Sequence, residues 1–256
     1  MSAHRAKKRF GQHFLHDPII IEKIVRAIAP RDDDRLIEIG PGLGALTRPL
    51  LAAAGKLTVI EIDRDIIPRL QPLCAAGLRI VEADALEVDY GALAPAGKQI
   101  RVAGNLPYNI STPLLFHLLG FAQHIHDMHF MLQKEVVERM CAAPGSEAYG
   151  RLSVSLAARA EVSYLFHVGP GAFKPPPQVD SAVARIRPRP PDFTLRDWGA
   201  FDRVVAAAFS QRRKTLSNSL RSLLAADQIK SAGIDPGLRA EKLSAAEFAA
   251  LANLLA

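Results

Sequence analysis

Apolar residues along this chain recur with two periods. At Ile20, Ile21, Ile24, Val25 and Ile28 the interval is three or four, which is one face of a helix. Asp17 and Pro18 stand at its head, an N-cap and a residue suited to the first helical position, so the spacing predicts a helix from Pro18. Shorter, nearly continuous apolar runs predict strands at Arg35–Ile39, Leu57–Ile62, Leu78–Glu82, Ile100–Gly104, His129–Gln133, Val162–Val168 and Ser181–Arg187. Several are β-branched almost throughout, as strands covered on both faces are. Strands that alternate with helical patterns imply a mostly parallel sheet, hence an α/β, Rossmann-like domain.

The pattern changes at Pro188-Arg189-Pro190-Pro191, a stiff stretch that reads as a linker. Beyond it the apolar positions predict helices only: Trp198–Phe209, Arg212–Ala225, a short one near Gln228–Ala232, and a last one from Ser244. Ser244 and Glu247 have capping-box spacing. The expected division is a first domain over 1–187 and a small all-α carboxyl-terminal domain over 192–256.

Composition narrows the class. The 256 residues suffice for one large domain and a small one, and 49% are hydrophobic, enough for a core. Cys74 and Cys141 stand far apart, without metal-ligand spacing, so neither a disulfide framework nor a zinc site is expected. No apolar run approaches the length of a membrane span. The expectation is a reduced, cytoplasmic, soluble protein, monomeric because no apolar stripe lacks a core role. A net charge of +6 leaves room for a polyanionic partner.

The strand Leu36–Ile39 runs into Gly40-Pro41-Gly42-Leu43-Gly44, followed by a predicted helix over Ala45–Ala53. Glycines here let the chain turn sharply and let a ligand approach the backbone. A dinucleotide fingerprint places its third glycine three positions after the second, over a pyrophosphate. Here the step is two, closer to a loop for S-adenosylmethionine, which carries no phosphate. Glu61, ending the next strand, can accept from both ribose hydroxyls, and Asp84, after the third, from the adenine amino group. Ligands of open α/β sheets bind at such strand ends. NAD is the rival ligand up to this point.

Asn105-Leu106-Pro107-Tyr108 follows the fourth strand to the same edge and decides against NAD. An adenine N6 lone pair is delocalised into the ring and is a poor nucleophile. Two acceptors at its two N–H bonds draw the nitrogen toward tetrahedral geometry. The Asn105 side-chain carbonyl and the Leu106 main-chain carbonyl can serve, Pro107 restricts Leu106, and Tyr108 offers a face for a flipped base. Catalysis is then mainly positioning, with neither a metal nor a general base. A variant with proline at the second position occurs in methylases of DNA adenine and of protein glutamine, so the motif marks amino-group methylation more firmly than its substrate.

With these residues the chain resembles the ribosomal RNA adenine N6-dimethyltransferase family, KsgA type. The likeness extends to Gly11-Gln12-His13-Phe14-Leu15, to Phe173-Lys174-Pro175-Pro176-Pro177-Gln178-Val179-Asp180-Ser181, to Phe209–Leu216 and to Arg239–Leu255. It implies a Rossmann-like S-adenosylmethionine-dependent methyltransferase domain with an amino-terminal segment folded over the cofactor. Contacts to the cofactor are implied for His13, Leu15, Gly40, Glu61, Asp84 and Asn105, with Gly42 in the loop. Phe173, held by Pro175-Pro176-Pro177, is implied to stack on the second face of the target adenine. The implied substrate is two adjacent adenines of small-subunit (16S) ribosomal RNA, each dimethylated during assembly of the 30S particle. The rivals are the Erm-type methylase of large-subunit RNA, and an assembly or RNA-binding factor whose methyl transfer is not essential.

Between Arg185 and Arg221 nine basic residues face three acidic ones, and Arg5, Lys7, Lys8 and Arg9 form a second basic cluster. Arg212, Arg213 and Lys214 are the expected RNA-phosphate contacts. His124, His126 and His129 have a spacing that suggests a metal, but neither cysteine nor a carboxylate pair completes a site, and none is expected.

Overall fold

The computed structural model describes residues 12–211 and 213–256. Among the described residues nine strands run β1 (Phe14–Leu15), β2 (Arg35–Ile39), β3 (Leu57–Glu61), β4 (Leu78–Glu82), β5 (Ile100–Asn105), β6 (Ile125–Gln133), β7 (Ala160–Val168), β8 (Phe173–Lys174) and β9 (Ser181–Pro188). Seven form one sheet in the order β4-β3-β2-β5-β6-β9-β7. The run from β4 to β6 is parallel, and β9 is antiparallel to β6. The seven predicted strands are all present, each within a few residues of its expected bounds. β1 and β8 are additional; they pair antiparallel in a separate two-stranded sheet.

The helix Pro18–Ile28 begins as expected. The Asp17 carboxylate accepts from the N–H groups of Ile19 and Ile20, and Ile24 and Ile28 are buried. Its core neighbours include Leu36, Leu46, Leu50, Val59, Ile66 and Phe173. The helix behind the glycine loop spans Thr47–Ala54, starting two residues later than predicted.

The chain forms two compact units, one of residues up to Val137 with Ser163–Pro188, the other of Glu138–Val162 with Arg189–Ala256. The expected first domain over 1–187 therefore takes a correction, since its segment 138–162 belongs to the second unit. Tyr149, Val154 and Ala158 are buried with Phe201, Val204 and Phe248. Tyr149 also donates its hydroxyl to the Leu243 carbonyl at 2.7 Å.

A second correction concerns Arg212–Ala225, where the helix is confined to Leu216–Ser219. The N–H groups of Leu216 and Ser217 bond instead to the carbonyls of Leu238 and Pro236. The last helix, Ala245–Ala252, carries the predicted Ser244–Glu247 capping box.

Candidate active site

The parallel strands leave the centre of the sheet in opposite directions: β2, β3 and β4 progress one way, β5 and β6 the other. The junction between β2 and β5 is a topological switch point, where the carboxyl ends of strands open a crevice. A cavity of about 230 Å³ lies there. His13, Leu15, Gly40, Gly42, Glu61, Asp84, Asn105, Leu106, Pro107 and Tyr108 all line it. Phe173, alone among the predicted cofactor and catalytic residues, does not.

The floor is the turn after β2. Gly40 and Gly42 have φ of +67° and +53°, which residues with a Cβ adopt at a cost. The Gly40 N–H donates to the Ile60 carbonyl at 3.0 Å, fixing the loop beside the end of β3. A Cβ on Gly42 would stand 3.1 Å from the Phe14 ring, so the glycine also admits the segment that crosses above it.

That segment, residues 12–16, is tied down by long-range bonds. The Gln12 side-chain amide donates to Asp63 at 3.0 Å, and the Asn105 side-chain amide donates to the His13 carbonyl at 3.0 Å. Leu15 pairs with Phe173 across β1 and β8. His13 Nδ1 lies 2.8 Å from the Pro175 carbonyl. A carbonyl only accepts, so Nδ1 carries a proton in this contact.

Three carboxyl groups, Glu38, Glu61 and Asp84, line the cavity, and among the described residues no Lys or Arg does. Glu61 is 6% exposed, and its Oε1 accepts from the Asp63 N–H at 2.8 Å. Burial raises its pKa, an effect opposed by that bond and reinforced by the Asp63 charge. Glu38 is pushed up to about 8 by complete burial, opposed by the Thr47 hydroxyl and reinforced by Glu61. Asp84 closes a turn, with Oδ1 accepting from the Leu86 N–H at 2.9 Å. The acidic character that Glu61 and Asp84 give this lining disfavours a pyrophosphate and suits a cationic ligand.

Beyond β5 the backbone is held from behind, the Leu106 N–H donating to the Met131 carbonyl at 3.2 Å. Because the Asn105 NH₂ group is engaged by His13, its Oδ1 is the atom left to accept from a ligand. The Tyr108 hydroxyl pairs with Ser181 Oγ at 2.9 Å, and burial raises its pKa against the effect of that bond. The ring lies nearly parallel to that of His13, with centroids 6.1 Å apart and an interplanar angle of 24°.

Phe173 is 3% exposed and belongs to the core beside Leu15 and Val183. Arg213 and Lys214 are exposed, whereas Arg212, like Arg5, Lys7, Lys8 and Arg9, lies outside the described residues. His126 is exposed and His129 is buried, its pKa lowered to about 4 chiefly by burial. Sequence reasoning passed over Gln12, Phe14, Leu43, Ile62 and Ala85, all in the cavity wall. Their signal was positional: each adjoins a residue already singled out, but none carries a charge or a reactive group of its own.

The chain is similar to known proteins over nearly its whole length. A curated relative from Pseudomonas aeruginosa, ribosomal RNA small subunit methyltransferase A, is 54% identical over 99% of this chain and 96% of its own. The protein of that name from Aromatoleum aromaticum is 55% identical over 100% and 96%. Among solved structures, a dimethyladenosine transferase from Plasmodium falciparum matches with a TM-score of 0.77 and 26% identity, covering 93% of this chain and 96% of that one. The 23S rRNA methyltransferase ErmE matches with a TM-score of 0.72 and 26% identity, covering 94% and 99%. The family model described as ribosomal RNA adenine dimethylase matches residues 3–256. With the glycine turn, the acidic cavity and Asn105–Tyr108 brought to one sheet edge, the chain belongs to the ribosomal RNA adenine dimethylase family.

Proposed function

We propose that this protein methylates the N6 amino group of two adjacent adenines in small-subunit ribosomal RNA, using S-adenosylmethionine, on assembling small subunits. The observation that carries the donor is the cavity lining itself: three carboxyl groups, no Lys or Arg among the described residues, and a glycine turn at the switch point. S-adenosylmethionine, when bound, supplies a methyl group on a positively charged sulfur. Glu61 would hold the ribose hydroxyls and Asp84 the adenine amino group, with the backbone of Gly40 and Gly42 below and residues 12–16 above.

Asn105 Oδ1 and the Leu106 carbonyl accept from the two N–H bonds of the target amine, drawing its lone pair out of conjugation. The Tyr108 ring supports the base. The proton that leaves is acidic once the nitrogen is alkylated, so the chain's own contribution is alignment. After one methylation a single N–H remains for two acceptors, so the second transfer rests more heavily on stacking.

Exposed Arg213 and Lys214, with Arg212, are the proposed phosphate contacts. Action on cytoplasmic ribosomal particles as a monomer completes the reading. Among the described residues no helix is long and apolar enough to cross a membrane. The small subunit is preferred over the large because relatives above 50% identity carry the small-subunit name, whereas ErmE stands at 26%.

The decisive experiment offers labelled S-adenosylmethionine with immature small subunits, large subunits or naked RNA, followed by mapping of the modified base. Label on adenine N6 of small-subunit RNA is expected. Label confined to large subunits would transfer the protein to the Erm-type reading, and binding without transfer would leave only an assembly role.

A further inference from the structure

Two buried serines tie Tyr108, one at its backbone and one at the tip of its side chain. Ser111 opens the helix Ser111–Leu119, is 2% exposed, and donates its hydroxyl to the Tyr108 carbonyl at 3.1 Å. Ser181 is fully buried, with its Oγ 2.9 Å from the Tyr108 hydroxyl. A tyrosine side chain turns about two torsions, and a bond to the backbone restrains neither. The bond to Ser181 is therefore what fixes the ring.

Ser181 closes the stretch Phe173–Ser181 and is the first residue of β9, opposite Gln133 at the end of β6. Beside it the Asp180 carbonyl accepts from the Lys134 N–H at 2.9 Å. The hydroxyl thus comes from a strand in register with the sheet, a more precise support than a loop. Among the described residues Tyr108 is the one side-chain partner of Ser181. A buried hydroxyl without a partner is unfavourable, so the pairing also satisfies the serine.

The consequence falls on the second methyl transfer. In the first, Asn105 Oδ1 and the Leu106 carbonyl hold two N–H bonds of the amine; in the second, one N–H bond is left. In each, the nitrogen lone pair bonds to the methyl carbon and the carbon–sulfur electron pair stays on sulfur, giving S-adenosylhomocysteine. An N–H proton then leaves. With its hydroxyl bonded to Ser181, Tyr108 offers the base its face alone, and that support does not depend on how many N–H bonds remain.

We infer that Ser181 is a positioning residue that acts through Tyr108 and sustains the second transfer, from monomethyl- to dimethyladenine. The inference rests on the adenine-methylation reading above.

The test incubates the full chain with S-adenosylmethionine and immature small subunits, digests the RNA to nucleosides, and follows mono- and dimethyladenine over time. Wild type is run first: absence of methylated adenine there overturns the functional reading, and this inference with it. Ser181→Ala is expected to slow the second transfer about 2- to 12-fold, the range for one net hydrogen bond, so that monomethyladenine accumulates. The first transfer should fall by a smaller factor, and the KM for S-adenosylmethionine should stay within about twofold. Tyr108→Phe removes the other half of the bond and keeps the ring, so it should give the same product ratio. The double variant should go no further than either single one.

A purely structural role for Ser181 would lower the melting temperature or slow both transfers alike, without that coupling. An unchanged product ratio in Ser181→Ala, or losses that add in the double variant, would overturn the inference.

Discussion

Strand β5 is finished differently at its two ends. Near its start, Arg101 is almost enclosed, its side chain 12% exposed, and its guanidinium is saturated. It bonds to both oxygens of Asp127 at 2.8 Å, to Asp34 at 2.8 Å and to the Ile28 carbonyl at 2.7 Å, the last at the end of the first helix. Burial pushes the Asp127 carboxyl up, but the Arg101 hydrogen bonds and charge outweigh it and hold the group below its ordinary value. At the other end Asn105 uses only its donor, toward His13, and its acceptor is left to a ligand. One end commits its polar groups to the fold, the other withholds them. Unmade bonds at the end of a strand, within a cavity, are what binding requires.

The difference can be broken from either side. The largest effect expected is on stability, from Arg101→Ala. Leaving buried Asp127 and part-buried Asp34 without their cation should cost about 3–5 kcal/mol in urea unfolding, while the folded fraction keeps its rate of methyl transfer. Loss of activity at unchanged stability would erase the distinction between the two ends. Asn105→Ala should do the reverse: kcat down about 10²–10³-fold, by analogy with removal of one positioned polar group, and stability changed by about 1 kcal/mol or less. Near-normal turnover in a folded Asn105→Ala protein would remove the residue from the site.

Glu38 sharpens the comparison because it is a polar group on the cavity floor that the fold leaves partly unsatisfied; among the described residues its Oε2 has no hydrogen-bond partner. Its carboxyl moves from an ordinary 4.5 to about 8. The unfolded chain thus releases this proton through about pH 4.5 while the folded chain keeps it to about pH 8, so folding loses stability across that window. Glu38→Gln removes the effect. Its stability margin over wild type should widen from about pH 5 to about pH 8 and then stay level in unfolding titrations of the free protein. A margin that is flat across this range would place the carboxyl in an ordinary environment. The smallest effect concerns the exposed cations. Arg213→Gln with Lys214→Gln should flatten the salt dependence of RNA binding, by up to about 0.7–0.9 in log–log slope for each phosphate that is no longer neutralised. An unchanged slope would move the RNA surface elsewhere.

Much of this site was legible in the sequence because its signals are local. The glycine turn, Glu61, Asp84 and Asn105–Tyr108 each sit at the end of a strand that its own hydrophobic run announces. Reading those runs in order brings the residues to one edge. Where a prediction failed, a distant partner had intervened. Arg212–Ala225 has a helical apolar pattern, but residues 236–238 take the hydrogen bonds of Leu216 and Ser217. The segment 138–162 follows β6 without a break, yet its buried side chains lie among the carboxyl-terminal helices.

By itself, then, the sequence determined the strands, the cofactor turn and the reacting-group motif, since period and turn chemistry are properties of neighbours along the chain. Only the tertiary structure decided that β1 and β8 pair, that Phe173 lies in the core, and that His13 faces Tyr108. Two-residue strands are too short to have a period. The bond from His13 to Pro175 spans 162 residues of chain, and no local preference of either residue specifies it.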